Sequence, residues 1–281
     1  MTLAGKRVCV SIPDTILEEQ ESLREKTAKL GQVARYCALF GVDTIRVFHD
    51  PRGRGESSFI KHVLEFLETP QYLRRRLFPL SEELRFAGLL PPLRIPSHKA
   101  KVPLGRIQVG EFREGVVLAD GYSFDAGLDA SVTLRKKETP QKRITLKISS
   151  VSNSRIEGVA VDRRDVTAYW GYSVEVSGTG SLLADTAFPL KVATSRHGDP
   201  VARVSRGLRK DLQGSGAVML LFGSPSRGLF ETVGKDLRSK VSYVVNLFPE
   251  QNVVTARSEE AIITALYLVG LLAIPELPPF L

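Results

Sequence analysis

Cysteine is scarce in this chain: of 281 residues only Cys9 and Cys37 carry a thiol, and neither belongs to a CxxC. Such a pair supports neither a disulfide framework nor a thiolate zinc site, so both read as small hydrophobes packed in a reducing compartment. The four histidines, His49, His62, His98 and His197, are scattered without metal-ligand spacing, which leaves no case for a metal. There is no GxSxG, no GxxxxGK[ST] and no GxGxxG. A serine-hydrolase elbow, a P-loop and a dinucleotide fingerprint are therefore all without support. Long apolar runs are missing too. The longest, 261–274, is interrupted by Thr264, Tyr267 and Gly270 and is too short to cross a bilayer. The opening MTLAGKRVCVSIP is too polar for a secretory signal, and the expected location is cytoplasmic.

What is present is a chain of ordinary globular composition with an excess of base. Hydrophobic residues make up 43% and charged residues 25%, enough for one large core or two modest ones. A formal charge of +8 and an isoelectric point near 9.5 favour a polyanionic partner, most simply a nucleic acid, although net charge alone is also compatible with none.

Along the chain the texture changes twice. Residues 7–12 read as a strand, a long helix follows to about Phe40 with Arg24–Lys29 on its outer face, Gly41 ends it, and VDTIRVFHD gives a second strand. Strand, helix and strand in succession make a parallel βαβ unit. A polar loop, PRGRGESS, leads to a helix stopped at Thr69-Pro70, and QYLRRRLFPL follows. Prolines at 91, 92, 96 and 103 then mark a boundary. From there to about Val166 short alternating strands with frequent turn signals indicate a small barrel. Its positive excess is slight overall but concentrated in RKKETPQKR, so Arg135, Lys136, Lys137 and Lys142 are candidates for binding an oligonucleotide, with a solvated loop as the alternative. Phe112, Tyr122 and Phe124 are the candidates for base stacking. After Tyr169 the α/β texture returns. The expected fold class is α/β, a parallel sheet domain built from 1–94 and 167–281 with a β-barrel inserted at 95–166.

The most informative stretch is 217–272. AVMLLF is an unbroken apolar run suited to a strand buried on both faces, and it ends in GSPSRGL. YVVNLF runs likewise into PEQNVVTAR, and a helix is expected from Ser258, with Ser258 as its cap. Loops at the carboxyl ends of neighbouring strands form a crevice, the usual ligand position in an α/β sheet, though ordinary turns would look the same locally.

LLFGSPSRGLFE and NLFPEQNVVTARSEEAI resemble the last two motifs of the SPOUT superfamily of RNA methyltransferases, and LKVATSRHG resembles the strand and loop that precede them. KLGQVARYC resembles the first motif, NxGxxxR, with Gly31 and Arg35 matching and Lys29 in place of the usual asparagine. The likeness covers nearly the whole chain and is strongest to the archaeal and eukaryotic branch that carries an inserted OB-like barrel.

The resemblance implies a trefoil knot, a bent S-adenosylmethionine bound in it, and a homodimer. It implies an RNA substrate, rRNA or tRNA. Donor binding is then expected at Thr194, Arg196, Leu221, Gly223, Ser224, Asn246, Leu247, Gln251, Val254 and Thr255. Arg35 inherits the role of the motif arginine that works on the RNA nucleophile; an exposed helix arginine is its alternative. Where ribose-methylating relatives carry SLNxS this chain has Thr255, Ala256 and Arg257. Arg257 suits an anion developing on a base, such as uridine N3, better than 2′-O chemistry, while an ion pair with Glu260 at the helix start remains open. A non-catalytic RNA-binding protein that keeps the knotted fold is the rival reading.

Overall fold

A computed structural model describes residues 5–103, 106–152 and 155–274, and the chain divides into two compact units. One takes the chain up to Glu68, Glu82–Leu93 and the chain from Tyr172 onward; the other takes Thr69–Ser81 and Arg94–Gly171.

The first unit is built on six parallel strands: β1 (Arg7–Pro13), β2 (Thr44–Phe48), β8 (Ser173–Ser177), β9 (Leu190–Pro200), β10 (Ala217–Leu221) and β11 (Tyr243–Asn246). Their order is β11-β9-β10-β1-β2-β8. All five residues of β10 are buried, as its continuous apolar run requires of a strand covered on both faces. The strands β10 and β11, expected as neighbours, are separated by β9, whose own loop is the third of those expected at the crevice.

Helix α1 (Leu23–Leu39) starts later than the sequence pattern implies. A capping box fixes its start: the Glu25 N–H donates to Ser22 Oγ at 3.2 Å and the Ser22 N–H to Glu25 Oε2 at 3.0 Å. Residues between β1 and Ser22 form turns instead, with Asp14 and Thr15 drawn into a buried polar network around Asp50. Gly41 ends the helix region at φ +66°, a conformation that side-chain-bearing residues rarely adopt. Lys29, expected on the outer face, is buried. Helices α2 (Ser57–Glu68), α4 (Thr179–Ala184), α5 (Val201–Gly214), α6 (Leu229–Thr232), α7 (Leu237–Lys240) and α8 (Ser258–Ala273) complete this unit. The residue that caps α8 is Arg257, whose N–H is accepted by Glu260 Oε2 at 2.8 Å; Ser258 is the first helical residue and is buried. No helix among the described residues is long and apolar enough to cross a membrane.

The second unit is a closed five-stranded barrel of β3 (Phe112–Val117), β4 (Ser123–Asp125), β5 (Val132–Leu134), β6 (Arg143–Val151) and β7 (Ile156–Val161), in the order β3-β4-β5-β7-β6. Val117, Phe124, Val132, Leu146, Ile148 and Ile156 fill it. Phe124 is fully buried in that core and so is lost as a stacking candidate, whereas Tyr122 remains exposed. The sequence places Thr69–Ser81 with the sheet domain; here they go with the barrel. Tyr72 on α3 (Gln71–Leu77) donates its hydroxyl to the Glu114 carbonyl at 2.7 Å, and Arg76 pairs with Asp125 at 3.1 Å. The buried Glu114 carboxylate gathers Arg143 Nε at 2.7 Å, the Thr145 hydroxyl and the indole N–H of Trp170 at 2.5 Å. One carboxylate thereby ties β3 and β6 to the segment that leaves the unit.

Candidate active site

Beyond the carboxyl ends of β9, β10 and β11 lies a cavity of about 240 Å³. Its wall on the β9 side comes from a register break. Ala193 pairs with Val244 and Asp199 with Val245, so residues 194–198 loop out of the ladder. Such a bulge re-aims side chains away from the strand, here toward the cavity. The Thr194 hydroxyl pins the bulge to the Leu221 carbonyl at 3.1 Å, and Asn246 Nδ2 donates to the Arg196 carbonyl at 3.1 Å. At its far end Gly198 runs so close to β11 that an added Cβ would stand 2.6 Å from the Val245 carbonyl carbon.

The second wall is the loop 223–228 after β10. Ser224 Oγ accepts the Arg227 N–H at 3.0 Å, closing a tight turn. A Cβ on Gly223 would meet the loop's own backbone, at 3.0 Å from the Arg227 oxygen and 3.1 Å from Gly228 Cα. Gly223 therefore serves first to let the loop fold on itself. Gly228 differs: it lines the cavity, and no heavy atom lies within 4 Å of where its Cβ would be. That space is open to a ligand. The third wall follows β11, where the Gln251 side-chain amide donates to the Val253 carbonyl at 2.9 Å and the Val254 carbonyl at 3.2 Å and so shapes the loop before α8.

Of the expected donor-binding residues, Thr194, Arg196, Gly223, Ser224, Asn246, Leu247, Gln251, Val254 and Thr255 line this cavity together. Leu221 does not; it is buried in β10 and presents only its carbonyl, which Thr194 occupies. Asn246, Ser224 and Gln251 spend their side chains on loop architecture, so what they leave toward the cavity is mostly backbone. Lining residues not singled out in the sequence include His197, Ser226, Phe230 and Glu231; Phe222 and Phe248, within the expected loop stretches, line it too. Each lies within or one turn beyond a motif already noted, and the only signal available for Glu231 was its place in GLFE.

Arg35 and Arg257 do not line the cavity. Arg35 is exposed on α1 and donates to the Leu93 carbonyl at 2.8 Å. Arg257 is exposed between Ala256 and Ser258, which do line it. In place of an Arg257–Glu260 ion pair, the Glu260 carboxylate takes the Arg257 N–H. Lys29 links the two helices, its ammonium 3.4 Å from Glu259 in the first turn of α8. In the barrel unit Arg135, Lys136, Lys137 and Lys142 are all exposed; Arg135 lies 3.8 Å from Glu157. Neither thiol is poised for chemistry: burial pushes Cys9 up to about 12 and Cys37 higher still. Among the described residues no cluster of acidic, histidine and cysteine side chains is fit to hold a metal.

The arrangement offers aromatic faces, small residues that admit close approach, exposed loop backbone, a guanidinium at Arg196 and a carboxylate at Glu231. These are the means to hold a nucleoside with a charged tail.

The family described as "Putative RNA methyltransferase" matches residues 7–269. The chain is 31% identical to an uncharacterized protein of Halobacterium salinarum, over 92% of this chain and 96% of that protein. It is 30% identical to proteins named 28S rRNA (uridine-N(3))-methyltransferase from Homo sapiens and Mus musculus. Those alignments cover 92% of this chain, with 76% of the human and 74% of the mouse protein.

Proposed function

The chain belongs to this SPOUT-type RNA methyltransferase family, and on that premise we propose that it methylates N3 of a uridine in rRNA, with S-adenosylmethionine as donor. The observation that carries the proposal is the cavity: nine residues from three separate sequence motifs converge on one space, and Gly228 leaves room inside it. When bound, S-adenosylmethionine supplies a methyl group made electrophilic by its sulfonium. The protein's part is to hold that group and the uridine in line, and proximity of this kind supplies much of the rate.

The residues present suit the donor. Phe222, Phe230 and Phe248 provide apolar surface for adenine, the loops around Leu247 and Thr255 provide backbone groups for its edge, Glu231 suits ribose hydroxyls, and Arg196 suits the carboxylate. Uridine N3 must give up its proton, here to solvent water, before it can accept a methyl group. Arg257, at the rim of the cavity, is assigned to stabilise the anion that results. Arg35 is assigned to the substrate side, contributed by the second subunit of a homodimer.

The dimer reading is supported by an apolar groove beside the cavity, lined by Phe248, Pro249, Val253 and Ile263, and by exposure of Val253, Val254 and Tyr267 around α8. The trefoil knot goes with the family reading, as does a fold closed by the segment after β11. The exposed bases of the barrel, Lys136, Lys137 and Lys142 with Arg135, are assigned to RNA phosphates.

Calorimetric titration with S-adenosylmethionine tests the reading against a non-catalytic RNA-binding scaffold. Saturable binding of one donor per chain is expected; no binding by folded protein would leave the scaffold.

A further inference from the structure

The polar loop PRGRG, residues 51–55, has no part in the donor cavity, yet the structure invests heavily in holding it. It leaves the carboxyl end of β2 on the same edge of the sheet as the cavity. Beneath it lie two buried carboxylates. Asp14 Oδ1 accepts the Asp50 N–H at 2.9 Å, and Asp14 Oδ2 lies 2.9 Å from His49 Nδ1. Asp50, with no exposed surface, accepts the Arg52 N–H at 3.0 Å, the Thr15 hydroxyl at 3.1 Å and Arg227 Nε at 3.1 Å.

The loop backbone presses onto this network at two points. A Cβ on Gly55 would stand 2.0 Å from Asp14 Oδ2, and one on Gly53 would stand 2.3 Å from Arg227 Nη2. A side chain at either position would have to displace these groups from the network. Arg52 and Arg54 on this loop are both exposed. Neither guanidinium forms an ion pair among the described residues. Arg227 joins this element to the cavity, since Ser226 and Gly228 on either side of it line the donor site, while its guanidinium binds Asp50 and Glu18.

Two exposed guanidiniums without ion-pair partners among the described residues, on a loop at the carboxyl edge of the sheet, suit an anionic phosphate, which a guanidinium binds through both charge and paired N–H donors. The loop is anchored at Arg52, Gly53 and Glu56, whose N–H groups bond Asp50 and Asp14, and anchoring of this kind lowers the entropy lost on binding. We propose that residues 51–55 form a phosphate-binding element for the RNA backbone flanking the target nucleotide, with Arg52 and Arg54 as its contacts. The inference rests on the RNA methyltransferase reading and adds a substrate surface on the catalytic domain itself.

The test is fluorescence anisotropy of a labelled stem–loop RNA with a uridine-containing loop, titrated with wild-type protein and with Arg52→Gln/Arg54→Gln over a series of KCl concentrations. With two phosphates no longer neutralised, binding should weaken at low salt and the slope of log K against log salt should fall by about 1.4–1.8. Thermal stability and S-adenosylmethionine affinity should stay as in the wild type. If the wild type binds this RNA and the variant retains both affinity and slope, the loop does not touch RNA and the proposal falls alone. If the wild type binds donor but no RNA at any salt, the RNA-directed reading falls with it.

Discussion

Lys29 and Glu259 face each other across 3.4 Å with only 5% and 12% of their side chains exposed, so the helix of the first motif is clamped to the first turn of the helix that follows the last. A lysine where asparagine is usual is thus accounted for by a partner on α8.

Buried pairs are costly to break on one side only, because the remaining charge stays desolvated. Lys29→Met should destabilise the protein by roughly 3 kcal/mol in urea denaturation, and Lys29→Met/Glu259→Leu should recover most of that loss. If the double variant is no more stable than Lys29→Met, the pair does not clamp these helices.

The glycines at the cavity should separate fold from binding. Gly228→Val places a side chain in open space, so it should leave the melting temperature unchanged and lower donor affinity about tenfold or more, equivalent to roughly 1.4 kcal/mol. Gly223→Val meets the loop's own backbone and should lower both stability and affinity. Equal donor affinity in Gly228→Val and wild type would place the ligand elsewhere.

These two glycines also mark the limit of what the sequence discloses. GSPSRGL announces a tight loop after a buried strand, and the parallel sheet, the barrel and the three motifs are all visible as patterns. Nothing in the pattern tells that Gly223 yields to its own loop while Gly228 yields to the cavity. The same holds for Leu221, which belongs to the right motif but lies under the cavity. Lys29 reads as an outward base because its partner is 230 positions away, and Thr15 reads as helix because its partner, Asp50, follows a different strand. Local periodicity carries the elements; long-range polar pairs decide where they begin and which side chains remain free.

Acid should act through Asp50. Burial alone would raise its carboxyl pKa, but the Arg52 N–H, the Arg227 guanidinium and the Thr15 hydroxyl outweigh it and hold the group below the usual carboxylate range. A lowered folded-state value means stability that is full above the unfolded pKa of about 4 and is lost as pH falls through the folded one. Asp50→Asn should therefore cost roughly 2 kcal/mol at neutral pH, with the difference from wild type shrinking below about pH 4. A difference that is independent of pH would show that charge at Asp50 is not what holds the network.

Removing charge from Arg135, Lys136, Lys137 and Lys142 together should weaken RNA binding and flatten its salt dependence by about 0.7–0.9 for each phosphate that is no longer neutralised. Arg135, already beside Glu157, should contribute less than the three lysines. An unchanged slope would mark the cluster as a solvated loop.

The central claim is methyl transfer to a base, and nucleoside mass spectrometry tests it most directly. Purified protein is incubated with deuteromethyl S-adenosylmethionine and rRNA from cells lacking the protein, and the RNA is then digested to nucleosides. The account predicts deuterated 3-methyluridine, formed more slowly at limiting donor when Gly228→Val replaces the wild type. Label in a 2′-O-methylated nucleoside, or no label in RNA that the folded protein binds alongside the donor, would contradict it.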